Sequence, residues 1–585
     1  MSLLLEIDPK KDCKDKYHFL KYKSRPYICL DLPRKMIQYK ISCPNPASQF
    51  LQLELRFQCQ AQERIHLQLP AWRAGRYQIA NYAQNLRGFT ASDLKGKSVP
   101  FTKTTKDRWE FFALENTTLL VRYSYWAGKM DAGSAWVDDE QVYVNLVNCC
   151  FELLGRSEEA IAVQLDLDDY PQRVLTLKQH ESSTWTAENY QVLADATLLA
   201  AKNLHRETYR VGSSQFHACF HGDIHFNSAS FINQLQAFTT RMIADFGSFP
   251  EPEYQFIFQL LPYPHYHGVE HRRGTVITFG PASSLTEAEA MEELLGISCH
   301  ELYHAWNVCR IRPEELLPYD FSRETYTQAG LVLEGVTTYF GDLYLLKSGV
   351  YDLPTYLRHL EKIIQRESQH FGWKNASIEE SSIDLWLDGY VQGVPDRKVN
   401  IYSHGALICL CLDVQLLKEG SSLALVMREM WETFGIPFRG YQLADFEKRI
   451  ADRFAQPEKI TEFFDAFVRG RADLFPVLEN YLKELGILIG TNETETTVFN
   501  ALGIQVNAQQ VIQKIHPKST AYRHLMANDL LLNLDLNAAS QKWEVEVDRQ
   551  GRKLNLSFAK EEENFYPHLV LEEGPSTPLR NHWMH

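Results

Sequence analysis

No stretch of this 585-residue chain reaches the roughly 18 consecutive apolar residues that a membrane-spanning helix requires. The N-terminal MSLLLEIDPKKDCK carries only a short apolar run, broken by Glu6 and Asp8 and not preceded by basic residues, so it lacks the pattern of a secretory signal. An excess of positive charge is also missing. Sixty Lys+Arg stand against 74 Asp+Glu, a net charge of −14, which argues against a general nucleic-acid binder. The eleven cysteines form no CxxC pair, and Cys149–Cys150 and Cys409/Cys411 lack structural-zinc spacing; reduced, buried thiols are expected. There is no internal repeat. These absences predict a soluble, acidic, cytoplasmic protein with no nucleic-acid and no membrane partner, and nothing specifies an oligomeric state.

Forty-five per cent of the residues are hydrophobic, enough for substantial cores, and the length suggests about three to five domains. The reading along the chain is a multidomain α+β protein. Residues 1–35 are a Lys-rich extension of no assigned role. Residues 36–220 are rich in strand-like segments such as FLQLELRFQC (50–59) and TLLVRYSYWA (118–127), which predict an N-terminal β-sandwich-like domain. From 221 to 488 two strands, YQFIFQLL and GTVITFG (274–280), precede a run of helices. The first, LTEAEAMEELLGISCHELYHAWNV (285–308), has Ser284 as its expected cap. Residues 489–572 return to short strands, and the tail, 573–585, is expected to be mobile.

The chemistry concentrates in His300-Glu301-Leu302-Tyr303-His304. Residues four apart on a helix share a face, so His300 and His304 can present imidazoles to one ion, with Glu301 close enough to act on a water there. On the next predicted helix Glu334 is the one acidic residue between Glu324 and Asp342. A carboxylate among apolar neighbours is costly unless paired or metal-bound, and His₂Glu with an open position suits a single zinc ion. Glu301 would then be the general base. An oxyanion needs a further donor; Tyr402 and His404 both qualify, and the residues alone do not separate them. Glu270, in His267-Gly268-Val269-Glu270-His271, either faces a substrate's ammonium or pairs with Arg272 or Arg273, with Gly268 admitting a close backbone approach. His265, His267 and His271 are a weaker candidate for a second metal site.

HELYHAWN (300–307), RIRPEELLPYDFSRETYT (310–327), LEGVTTYF (333–340), LPAWRAGRYQI (69–79), HGVEH (267–271) and YSHGALICLCLD (402–413) together resemble the glycyl aminopeptidase-like metallopeptidases with a C-terminal PDZ domain. The resemblance runs from about residue 36 to about residue 570. It implies a thermolysin-like, mostly helical catalytic domain of the gluzincin type, with His300, His304 and Glu334 as zinc ligands and Glu301 as base. It also implies Tyr402 as the group that stabilises the tetrahedral intermediate, and Glu270, with Gly268, as the binder of the substrate's α-amino group. Peptide substrates with small first residues, glycine or alanine, follow from it. A zinc endopeptidase that uses the PDZ-like domain for presentation, and a non-catalytic peptide-binding protein, are the alternatives. The chain departs from the family pattern at Ala74, Arg76, Cys309 and His404. It departs again in the PDZ-like segment, where Tyr522-Arg523-His524-Leu525 and Asn528-Asp529 replace the usual small and glycine residues.

Overall fold

The computed structural model describes residues 36–585 apart from 182, 392 and 493–496; the expected N-terminal extension, residues 1–35, lies outside the described residues. Alternation organises the first region. In the strand Phe50–Cys59, Leu51, Leu53, Leu55, Phe57 and Cys59 all point into a core while the residues between them face outward. That strand pairs with Ile37–Ser42 and Thr117–Trp126 inside a seven-stranded sheet. A five-stranded and a four-stranded sheet complete the region, and all three contribute to one core, which runs from Ile37 to Ala200 and takes in Phe321 from later in the chain.

The next sheet has the order His205–Val211, Ser214–His221, Glu253–Leu260, Gly274–Gly280, His265–His271. Helix Ser228–Phe246 connects the parallel neighbours Ser214–His221 and Glu253–Leu260, as a parallel pairing requires a long crossover. The expected boundary at residue 220 therefore cuts this sheet, because hydrogen-bonded partnership across a crossover is not visible in strand composition. His265–His271 is the outermost strand, paired antiparallel to Gly274–Gly280 on one side only.

Against this sheet packs a helical layer: Ala288–Tyr303, a π-helical turn Leu331–Gly335 continuing into Val336–Lys347, Leu353–Ser368, and Ser403–Lys418. Ser403–Lys418 is buried along nearly its whole length, which makes it the central helix of the largest core. Ser284 does not cap Ala288–Tyr303. It sits in a separate short turn, Ala282–Thr286, where its hydroxyl donates to the Pro281 carbonyl, and the helix begins after Glu287 without a side-chain cap. No helix among the described residues is long and apolar enough to cross a membrane.

The C-terminal region holds a small core of its own around Ile504, Ile512, Trp543, Val545 and Phe558. The chain then returns. Strand Leu569–Glu573 pairs with Ile487–Thr491 and hangs on helix Leu353–Ser368, with the Leu571 amide donating to Glu361 at 2.7 Å. The tail is not mobile: it forms helix Pro578–Met584, whose Trp583 is fully buried. Its indole donates to the Tyr339 hydroxyl at 2.8 Å, and Tyr339 donates to Asp413 at 2.6 Å. Arg580, 4% exposed, donates to the carbonyls of Gly486 and Gly574.

Candidate metal centre and substrate cavity

His300 lies in the last turn of Ala288–Tyr303 and His304 at its C-terminal cap. Their Nε2 atoms are 3.2 Å apart, and Glu334 Oε2 lies 3.5 Å from that of His304 and 3.9 Å from that of His300. His304 Nδ1 donates to the Asn307 carbonyl at 2.6 Å, which turns Nε2 toward the cluster; burial lowers its pKa, but Glu334 beside it outweighs burial and lifts it to about 10. The Asn307 amide donates in turn to the Val332 carbonyl (2.6 Å) and Thr337 Oγ1 (3.0 Å), so one side chain holds the histidine helix in register with the Glu334 turn. Burial holds His300 well below the usual imidazole range, keeping it neutral and a lone-pair donor. Glu334 Oε2 is buried and makes no hydrogen bond. Two imidazole nitrogens and one orphaned carboxylate oxygen, converging within 4.8 Å, fit a small divalent cation. Among the described residues this is the one cluster of metal-ligating type.

Two close approaches make the cluster possible. A Cβ on Gly335 would come within 2.8 Å of Gly405 Cα, so the helices carrying Glu334 and Tyr402 touch backbone to backbone. A Cβ on Gly341 would lie 3.2 Å from that of His300. The π-helical turn at Leu331–Gly335 resets the helix phase at Glu334, a distortion often found at functional sites.

Glu301 is buried, with Oε2 unpaired, and burial pushes its pKa up to about 8, within general-base range. It lies against the outermost strand: a Cβ on Gly268 would stand 2.2 Å from Glu301 Oε1. Two residues on, Glu270 is 7% exposed and its Oε1 has no partner. Arg272 and Arg273 do not pair with it. Both bind Glu251, at 2.5 and 3.2 Å, together with Arg310 at 2.5 Å.

His300, Glu301, His304, Glu334, Gly268, Glu270 and Tyr402 all line one cavity of about 810 Å³. Tyr402 shares its wall with Tyr390, and burial pushes the Tyr402 phenol well above its usual range, so it stays a hydrogen-bond donor. His404 points elsewhere: its Nδ1 lies 3.3 Å from Glu367, which also accepts from Ser403 Oγ at 2.5 Å. The three loop histidines do not converge on an ion. His267 Nδ1 meets Asp131 at 2.9 Å, whereas His271 meets Thr197 and Asp195.

Sequence reasoning missed the contribution of the N-terminal region. Gly75, Arg76 and Asp131 line the same cavity, and Arg73 reaches His267 at 3.5 Å. Gly75 has a φ of +71°, and a Cβ there would lie 2.2 Å from Glu270 Oε2. The motif LPAWRAGRYQI marks this loop as distinctive, but no local signal ties it to Glu270.

Comparison with known proteins agrees with this layout. A crystal structure of an aminopeptidase N family protein from Idiomarina loihiensis shares the fold, with a TM-score of 0.84 at 22% identity over 94% of this chain and 100% of the other. An M1 zinc metallopeptidase from Deinococcus radiodurans matches with a TM-score of 0.47 at 14% identity, covering 75% of this chain and 94% of its own. No curated protein matches the sequence. Residues 38–202 match the Peptidase M61 N-terminal domain and residues 293–408 match the M61 glycyl aminopeptidase. Two stretches of the chain thus match models of the Peptidase M61 family, and the second stretch spans the His300–His304–Glu334 cluster, Glu301 and Tyr402.

Proposed function

We propose that this chain is a zinc-dependent aminopeptidase of the gluzincin type, which hydrolyses the N-terminal bond of peptides whose first residue is small, glycine or alanine. The observation that carries the reading is the meeting of three ligand-type groups, a buried carboxylate beside them and an unpaired Glu270 in one cavity. One zinc ion held by His300, His304 and Glu334 would supply Lewis acidity and an acidified water. Glu301 takes the proton of the attacking water and returns it to the departing amine. Glu270 accepts the substrate's α-ammonium, which relieves the cost of a buried, unpaired carboxylate. Gly268 gives the chain room to lie beside Glu301, and the free side of His265–His271 offers backbone groups to an extended peptide. Tyr402 donates to the oxyanion. A thermolysin-like catalytic unit and a PDZ-like C-terminal unit accompany this proposal.

The test is release of glycine or alanine from dipeptides and anilides, with and without chelator. Glu301→Gln, which keeps the side chain's size and the zinc stoichiometry, is expected to cut kcat by about 10²–10⁴-fold; unchanged turnover would refute the mechanism. N-terminal acetylation of the substrate separates the endopeptidase reading, which tolerates it, from one in which Glu270 needs the ammonium. Zinc bound in stoichiometric amount without any hydrolysis would favour the non-catalytic peptide binder.

A further inference from the structure

The cavity extends past the His₂Glu cluster to a wall made by helix Leu353–Ser368, where His359, Lys362, Ile363 and Arg366 share one face. Two of its basic side chains already have carboxylate partners. His359 Nε2 meets Glu292 at 3.0 Å, and Lys362 Nζ meets Glu289 at 2.5 Å. Arg366 differs: among the described residues no carboxylate lies within ion-pairing distance of its guanidinium, and no hydrogen bond engages it. Beside it the C-terminal region brings a second cation. Lys514 Nζ lies 2.8 Å from His370 Nε2, an imidazole in place of a carboxylate. Burial lowers the Lys514 pKa and the Arg366 charge adds to that, while Asp396 and Glu367 oppose it. Two cations within each other's field, without a paired anion, are an unusual arrangement in a chain of net charge −14.

Elsewhere on the same cavity the opposite holds, since Glu270 is a buried carboxylate without a cation. The cavity therefore presents an unsatisfied acid and an unsatisfied base in a volume suited to a small ligand. A guanidinium matches a carboxylate in a two-pronged geometry that a neutral amide cannot reproduce. We propose that Arg366, with Lys514 of the C-terminal region beside it, is the subsite for the α-carboxylate of the substrate, so that the preferred substrates are short peptides with a free C terminus. This deepens the aminopeptidase reading and rests on it.

The experiment compares an Ala-Gly-Gly tripeptide with its C-terminal amide, first as ligands of the zinc-loaded Glu301→Gln protein by calorimetry and then as substrates of the unaltered protein. The acid is expected to bind roughly 10- to 100-fold more tightly than the amide. Arg366→Gln should bring that ratio close to one, and Arg366→Lys should retain part of it. Because Arg366 is exposed on its helix, these substitutions leave the core intact. Equal affinity for acid and amide, or a preference that survives in Arg366→Gln, would overturn the subsite. Hydrolysis without an acid preference removes the subsite and leaves the aminopeptidase reading. An acid preference in binding, with no hydrolysis of either peptide, removes that reading and leaves the subsite.

Discussion

Glu251 and Glu270 are both buried carboxylates, 4% and 7% exposed, near the same end of one sheet, Glu251 just before strand Glu253–Leu260 and Glu270 next to last in His265–His271. Glu251 is met by three guanidinium groups, from Arg272, Arg273 and Arg310, and these join the turn after the outermost strand to the loop after the histidine helix. Glu270, two residues before Arg272, takes none of them. The same local supply of positive charge is thus directed to Glu251, with Arg273 also reaching Glu188 at 3.4 Å, and withheld from Glu270. A buried charge is expensive unless paired. The acid with its cations supplied by the chain is a structural fastener, and the acid without them is the one proposed above to meet a substrate's ammonium.

The largest effect that sharpens this contrast is expected at the fastener. Glu251→Gln removes the carboxylate shared by three half-buried arginines, of which Arg273 keeps Glu188, and breaking such a network by removing one partner costs about 3–5 kcal/mol. Chemical denaturation should show a loss of that order. Comparable stability in the variant would mean that the arginines are satisfied by water and that the contrast with Glu270 is only apparent.

At Glu270 the split is expected to reverse. Glu270→Gln removes an unpaired buried charge, so stability holds or rises, while the interaction with a substrate ammonium is lost. A charge-assisted hydrogen bond of about 1.5–3 kcal/mol corresponds to a fall in kcat/KM of roughly 10- to 150-fold. The same substitution should narrow the discrimination between free and N-acetylated peptides. A variant that loses stability but keeps that discrimination would place Glu270 among the fasteners.

The contrast between these two acids was only half legible before the structure. The spacing of His300, Glu301 and His304 determines their relation, because a helix sets which residues share a face. Glu334 was legible for a different reason, as an isolated acid in an apolar run. The sequence left Glu270 balanced between an ammonium and its arginine neighbours, and the structure removes the arginines, which are held by Glu251 about twenty residues earlier in the chain. Gly75 was illegible as a site residue, since its role is a close approach between regions far apart in sequence. The tail was misread for a related reason. Nothing within EEGPSTPLRNHWMH announces a docked helix; the slot for Trp583 is built from Tyr339 and Tyr356 on two other helices. Short-range geometry was readable, and sites completed by tertiary contact were not.

The smallest expected effect lies in the acid limb of stability. Burial raises the Glu251 pKa, but the charges of Arg272 and Arg310 and the Arg272 hydrogen bond outweigh it and leave it below the ordinary glutamate value of 4.5. The unfolded chain therefore takes up the proton first as pH falls. The contribution from Glu251 is fully present above about pH 4.5 and is lost as the pH drops through the lower folded value. Denaturation midpoints measured from neutral pH down to about pH 3 should fall more steeply for the unaltered protein than for Glu251→Gln, so that the two curves converge in acid. Parallel acid limbs for the two proteins would show that the arginines do not favour the ionised form of Glu251, and the distinction between a fastened and a waiting carboxylate would fail.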